Sequence, residues 1–172
     1  MNKLGWVIGG ALLLAGCGSQ DTRVPVALGS LVMPASAPWL QVEQQPQDVQ
    51  VRGLDDAVTL TPTPPVSEVV QARLRHALQP VYYTDLVVDC SQPSAEMLAN
   101  TDDTPHTVTL MLATRCTINA RGLVSAHDYR AQPALPLPAD GNYAKVLTAL
   151  LATGADDIAA HLRADIPASG GR

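Results

Sequence analysis

Apolar and polar positions along the chain change period several times, and each change predicts an element. Val24 to Met33 is mostly apolar and includes β-branched residues, which reads as a first strand. Residues 34–48 carry Pro34, Pro38 and Pro46 in a Gln-rich stretch and read as an extended loop. Val49 to Arg52 alternates like a strand edge, and Ala57 to Thr61 is another short strand. Thr63-Pro64-Pro65 then opens a helix over 66–79, with Thr63 as the cap, because proline is tolerated in a first turn. Val66, Val69, Val70, Leu74, Ala77 and Leu78 recur at spacings of three and four and line one face. Glu68, Gln71, Arg75 and Gln79 take the other face, and Pro80 stops the helix.

The second half is more regular. Tyr82 to Cys90 reads as a buried strand, followed by a polar segment from Ser91 to His106 with one helical turn at Ala95 to Ala99. Thr107 to Ala120 alternates most clearly, placing Val108, Leu110, Leu112, Thr114, Cys116 and Ile118 on one side. Arg121-Gly122 makes a turn, and Leu123 to Ala131 returns as the hairpin partner. Pro133, Pro136 and Pro138 interrupt the pattern. Asp140 caps a long helix over 141–164 with a stripe running from Tyr143 through Leu150 to Leu162. Gly154 lies on that stripe at a cost of about 1 kcal/mol relative to Ala, which a close approach to the sheet would justify. These elements predict a single α+β domain over residues 24–166, a mainly antiparallel sheet with both amphipathic helices on one face. Residues 167–172 read as a tail.

The first twenty residues follow a different logic. Lys3 precedes an apolar run from Leu4 to Leu14, then Ala15, Gly16 and Cys17. A charged start, an apolar stretch and small residues make a secretory signal, and the run is too short to span a bilayer. Leu14-Ala15-Gly16-Cys17 resembles a lipobox. That resemblance implies removal of residues 1–16, a diacylglycerol on the Cys17 thiol and a fatty acyl chain, such as palmitate, on its amine. Each buried methylene contributes about 0.8 kcal/mol, and two or more chains anchor stably. Residues 17–23 then serve as a lipidated tether. Gly18, rather than an aspartate, follows the cysteine, which by analogy with enteric sorting implies the outer membrane, with the domain facing the periplasm.

Composition narrows the partners. Removing residues 1–16 takes Lys3 with it and leaves 156 residues with 10 basic and 16 acidic side chains. That balance argues against nucleic-acid binding, which uses a basic patch, and against wide contact with an anionic bilayer. The chain has no Phe, so the core is aliphatic. With Cys17 lipidated, Cys90 and Cys116 remain as a candidate disulfide in an oxidising compartment. A bridge would contribute about 3 kcal/mol. Two separately buried thiols are the alternative, because a simple hairpin with its tip near Leu98 would hold the pair apart.

Candidate chemistry is sparse. Asp102, Asp103 and His106 have metal-ligating side chains but lie in a Pro-containing loop without a shared face, and read as a solvated turn. His127 and Asp128 are strand neighbours that point to opposite sides. Arg115 and Arg130 flank each other on the wetter face as a conceivable anion site, though surface arginines are ordinarily solvated. Tyr82 and Tyr83 read as strand residues rather than a ligand platform. A G-x-S-x-G elbow, a Gly-rich phosphate loop and a zinc-type cysteine pair are all missing. The sequence therefore predicts no enzyme, no cofactor and no metal.

The order of lipobox, tether, strand, Ala57-to-Thr61 segment, helix, strand pair and closing helix resembles the YajG family of small envelope lipoproteins. The likeness is best over 56–80 and 107–166, where the return strand ends in His127-Asp128-Tyr129-Arg130-Ala131. The architecture is also similar to PqiC-type and lipopolysaccharide-assembly auxiliary lipoproteins. The resemblance implies a non-catalytic protein that contacts an envelope partner, and it carries no catalytic residues. The competing expectation is a module that binds a small lipid or cell-wall fragment in a Leu- and Val-lined cleft between the sheet and helix 141–164.

Overall fold

The computed structural model describes residues 22–78, 85–102 and 104–167. Cys17, the signal segment, Tyr82, Tyr83 and Asp103 lie outside the described residues. The chain runs β1 (Thr22–Ala27), a 3-10 turn (Gly29–Leu31), β2 (Leu40–Val42), β3 (Val49–Arg52), β4 (Val58–Thr63) and α1 (Val66–Leu78). It continues through β5 (Leu86–Asn100), β6 (Thr107–Ala120), β7 (Leu123–Ala131), β8 (Ala134–Pro136) and α2 (Tyr143–Asp165). This is a single-domain α+β fold.

The long β5–β6 hairpin is its centre, and each outer edge of the hairpin is shared by two shorter strands. The main order is β1-β4-β3-β5-β6-β7, with β2 also beside β5 and β8 also beside β6. Strand direction is mixed. β1 with β4, β2 with β5 and β3 with β5 run parallel, while the other ladders are antiparallel. Apolar alternation predicted a mainly antiparallel sheet, but alternation reports which face is buried and carries no direction. Direction is set by the connections, and the passage through β4 and α1 brings β5 back parallel to β3.

The largest departure from the sequence pattern is at residues 91–100, which are strand rather than polar loop or helical turn. Pro93 cannot donate to a ladder, and strands accommodate proline at bulges. Here the register shifts between Ser91 and Ser94, with Gln92 at φ 51°. Beyond the bulge the alternation resumes, burying Ala95, Met97 and Ala99. The hairpin therefore turns at 101–106 rather than near Leu98, and Cys90 stands directly opposite Cys116. The two are joined by a disulfide. The supposition that a simple hairpin keeps them apart is corrected by this register.

Several boundaries also move. The first strand spans Thr22–Ala27 and gives way to the 3-10 turn, so it begins inside the expected tether. A three-residue strand, β2, forms within the Pro-rich loop. Thr63 ends β4, and the carbonyl of Pro65, not the Thr63 side chain, receives the first amides of α1. Asn142 caps α2 by accepting from the Lys145 N–H at 3.1 Å; Asp140 instead accepts from the Asn142 N–H. Pro133 and Pro136 do not end strand pairing, because β8 lies at an edge beside Thr107–Thr109.

One aliphatic core joins sheet and helices. Val69, Val70, Leu74 and Leu78 of α1 and Leu147, Leu150, Leu151, Ile158 and Leu162 of α2 are buried in it. The opposing sheet residues include Leu60, Val88, Met97, Leu110, Leu112 and Ile118. The helices are also pinned to each other. Arg73 pairs with Asp156, and Arg163 donates to the Ala77 carbonyl. Gln71 and Arg75 are not simply solvent-facing: Gln71 Oε1 accepts from the Val42 N–H, and Arg75 Nε donates to the Leu40 carbonyl, each at 2.9 Å. Helix side chains thus close the outer edge of β2.

Candidate functional site

Strand alternation separates the candidate polar residues of β7. His127 and Asp128 point to opposite faces, and each finds its own partner. His127 Nδ1 lies 3.7 Å from Asp165 Oδ2 at the end of α2, and Asp128 Oδ1 lies 3.6 Å from Arg115 Nη1 on the open sheet face. Tyr129, only 4% exposed, donates its hydroxyl to the same Asp165 oxygen at 2.8 Å. Burial first, and the Asp165 carboxylate second, push the Tyr129 phenol well above its usual range. The sequence pattern did not single out Tyr129 and Asp165 as a pair, because they are joined only when α2 lies back along β7.

Arg115 and Arg130 flank each other diagonally, since the register sets Arg115 opposite Asp128 and Arg130 opposite Ala113, and both line one hollow with Gln92 and Ser94. Arg115 Nη1 also lies 3.6 Å from Asp128 Oδ1, an exposed pair. Asp102 and His106 flank the β5–β6 turn, both exposed. The Asp102 N–H donates to Asn100 Oδ1, and the His106 carbonyl accepts from Leu137. Among the described residues no group of three His, Cys, Asp or Glu side chains is placed to hold a metal ion. Neither is any described helix long and apolar enough to cross a membrane.

The position expected for a ligand cleft, between the sheet and α2, is filled by fully buried Leu112, Leu147, Leu150 and Leu151. On the open face, a shallow concavity of about 290 Å³ lies over Ser94 and Ala113, with Met111, Glu96 and Arg130 around it. At the rim of the sheet, a hollow of about 460 Å³ runs between β7 and the last turn of α2. Exposed apolar side chains gather at the β6–β7 turn, where Leu123 is 76% and Val124 66% exposed.

No protein-family model and no curated protein matches this chain. Among solved structures, one described as "Crystal structure of uncharacterized protein" is similar at 14% identity. It covers 83% of this chain and 99% of its own, with a TM-score of 0.42.

Proposed function

We propose that the chain is a lipid-anchored accessory protein of the bacterial envelope, held at the periplasmic face of the outer membrane through Cys17 and acting by contact with a protein partner. The observation that carries this reading is the lipobox-like Leu14-Ala15-Gly16-Cys17 ahead of a domain whose core is filled. An acyl anchor supplies location without any bilayer contact by the protein. A filled core leaves the surface to do the work, and the exposed Leu123 and Val124 beside an open strand supply one. The YajG-like order of elements, with both helices on one face of the sheet, belongs to the same proposal. It is supported by the approach of Gly154 in α2 to Leu112 in β6.

A second reading, a module for a small envelope ligand, draws on the concavity over Ser94 and Ala113, where Arg130 would meet an acidic group and Met111 an apolar one. Co-purification from detergent-solubilised membranes, with mass spectrometry of both proteins and lipids, separates the two. A stoichiometric protein supports the accessory role. A stoichiometric lipid, retained when Arg130 is intact and lost in Arg130→Glu, supports the module.

A further inference from the structure

Arg121 and Gly122 have φ of 54° and 79°, so the β6–β7 connection is a two-residue turn of the I′ type. The residues flanking such a turn, Ala120 and Leu123, exchange both backbone hydrogen bonds, and the pattern alternates from there. The N–H and C=O groups of Val124, Ala126, Asp128 and Arg130 therefore point away from β6. Among the described residues β7 pairs only with β6, and no backbone hydrogen bond takes these groups. Two other edges of this sheet are managed: β2 is closed by Gln71 and Arg75, and β1 carries Pro25.

The hollow beside β7 sits on that edge. It touches four consecutive residues, His127 to Arg130, and successive strand residues point to opposite faces. The hollow therefore borders the edge along these four residues. His161, Ala164 and Asp165 of α2 form its other wall. Its charges are unequally committed. Asp165 serves Tyr129 and His127, and Asp128 serves Arg115, whereas Arg130 faces Ala113 and has no ion pair among the described residues. The uncommitted charge in the groove is thus positive, and the far end of the strand is apolar.

We infer that the outer edge of β7 receives an extended segment of a partner protein as an added strand, with apolar residues beside Leu123 and Val124, one on each face, and an acidic residue beside Arg130. Strand addition draws affinity from main-chain hydrogen bonds and specificity from alternate side chains. Val124 and Arg130 are six positions apart, which spans about 20 Å at ~3.3 Å per residue, so the segment is about seven residues long. The inference rests on the contact role proposed above and names its surface.

The test places a photo-crosslinking amino acid at Ser125 in the full-length chain, in the cells that make it, and maps the captured residue by mass spectrometry. Capture of one protein through one acid-containing segment is expected. Ala126→Pro, which removes an amide that β6 does not use, and Arg130→Glu each lower the yield at least tenfold with Tm unchanged. Arg130→Lys retains it. Unchanged yield in both loss variants, capture of a second copy of this chain, or no capture overturns the inference. The same crosslinker at Met111, on the open face, keeps the two proposals distinguishable. A partner captured there but not at Ser125 defeats the edge assignment and leaves the contact role standing.

Discussion

The hydroxyl of Tyr129 donates to Asp165 Oδ2 across 2.8 Å, tying the buried side of β7 to the last turn of α2. The folded state holds the Tyr129 proton more tightly than the unfolded chain does, because burial and the carboxylate both oppose a phenolate. Its contribution to stability is therefore complete below the ordinary tyrosine pKa of about 10 and is lost as pH rises above that. Urea unfolding of a Cys17→Ser form should show a decline above about pH 10. Tyr129→Phe should lower stability at pH 7 by about 1 kcal/mol and shrink the alkaline decline. The remainder comes in part from Tyr143, whose pKa burial also raises. An unchanged alkaline profile in Tyr129→Phe would contradict this account of the contact.

The disulfide makes a separate prediction. Cys90 and Cys116 are cross-strand partners separated by 26 positions. On the chain-entropy account, removing the bridge as Cys90→Ala/Cys116→Ala costs about 3 kcal/mol. Urea midpoints measured in the Cys17→Ser background report that loss, and far-ultraviolet circular dichroism should be retained, since the ladder on either side does not depend on the bridge. Equal midpoints with and without the bridge would refute it.

Two glycines should respond in opposite ways to the same substitution. Gly53 has φ 83°, and a Cβ there would stand 2.1 Å from the Ala99 carbonyl oxygen, so Gly53→Ala combines backbone strain with a clash. A loss of about 2 kcal/mol or more is expected. At Gly154 a Cβ would meet Leu112 Cδ2 at 3.3 Å and Pro133 Cγ at 3.4 Å, contacts that a small shift of the leucine relieves. The helical preference for Ala, about 1 kcal/mol, then offsets the crowding. Gly154→Ala is expected to be neutral or slightly stabilising, and Gly154→Val to destabilise by about 1–3 kcal/mol through overpacking. Thermal unfolding of the three variants checks the contrast.

The elements legible in the sequence are those whose period repeats without interruption. β6 runs 14 residues with strict alternation, and its return strand β7 follows a Gly turn, so both match the pattern residue for residue. Helix α1 shows its 3.6 period equally well. The pattern fails where a local breaker is absorbed by tertiary structure. Pro93 and its polar neighbours end the alternation at Cys90, yet a bulge carries β5 through them to Asn100. β2 is too short for any period and exists because β5 and the side chains of Gln71 and Arg75 satisfy its backbone. Gln71 and Arg75 looked like surface residues for the same reason: their targets are backbone groups 29 and 35 positions away.

The candidate surface was less legible still. Single residues such as His127, Asp128 and Arg130 stood out, but their partners depend on register and on where α2 ends. That β7 is an edge strand follows from strand order, which no local pattern encodes. By contrast, the segment that most directly concerns location, Leu14 to Cys17, is read entirely from local chemistry and owes nothing to the fold.

Fatty-acid attachment at Cys17 is therefore the most direct measurement. Cells expressing the intact chain and a Cys17→Ser variant are fed an alkyne fatty acid and then fractionated. The account predicts a labelled wild-type protein in the membrane fraction and an unlabelled variant released from it. An unlabelled wild type, or a variant that partitions with the membrane as the wild type does, would contradict it.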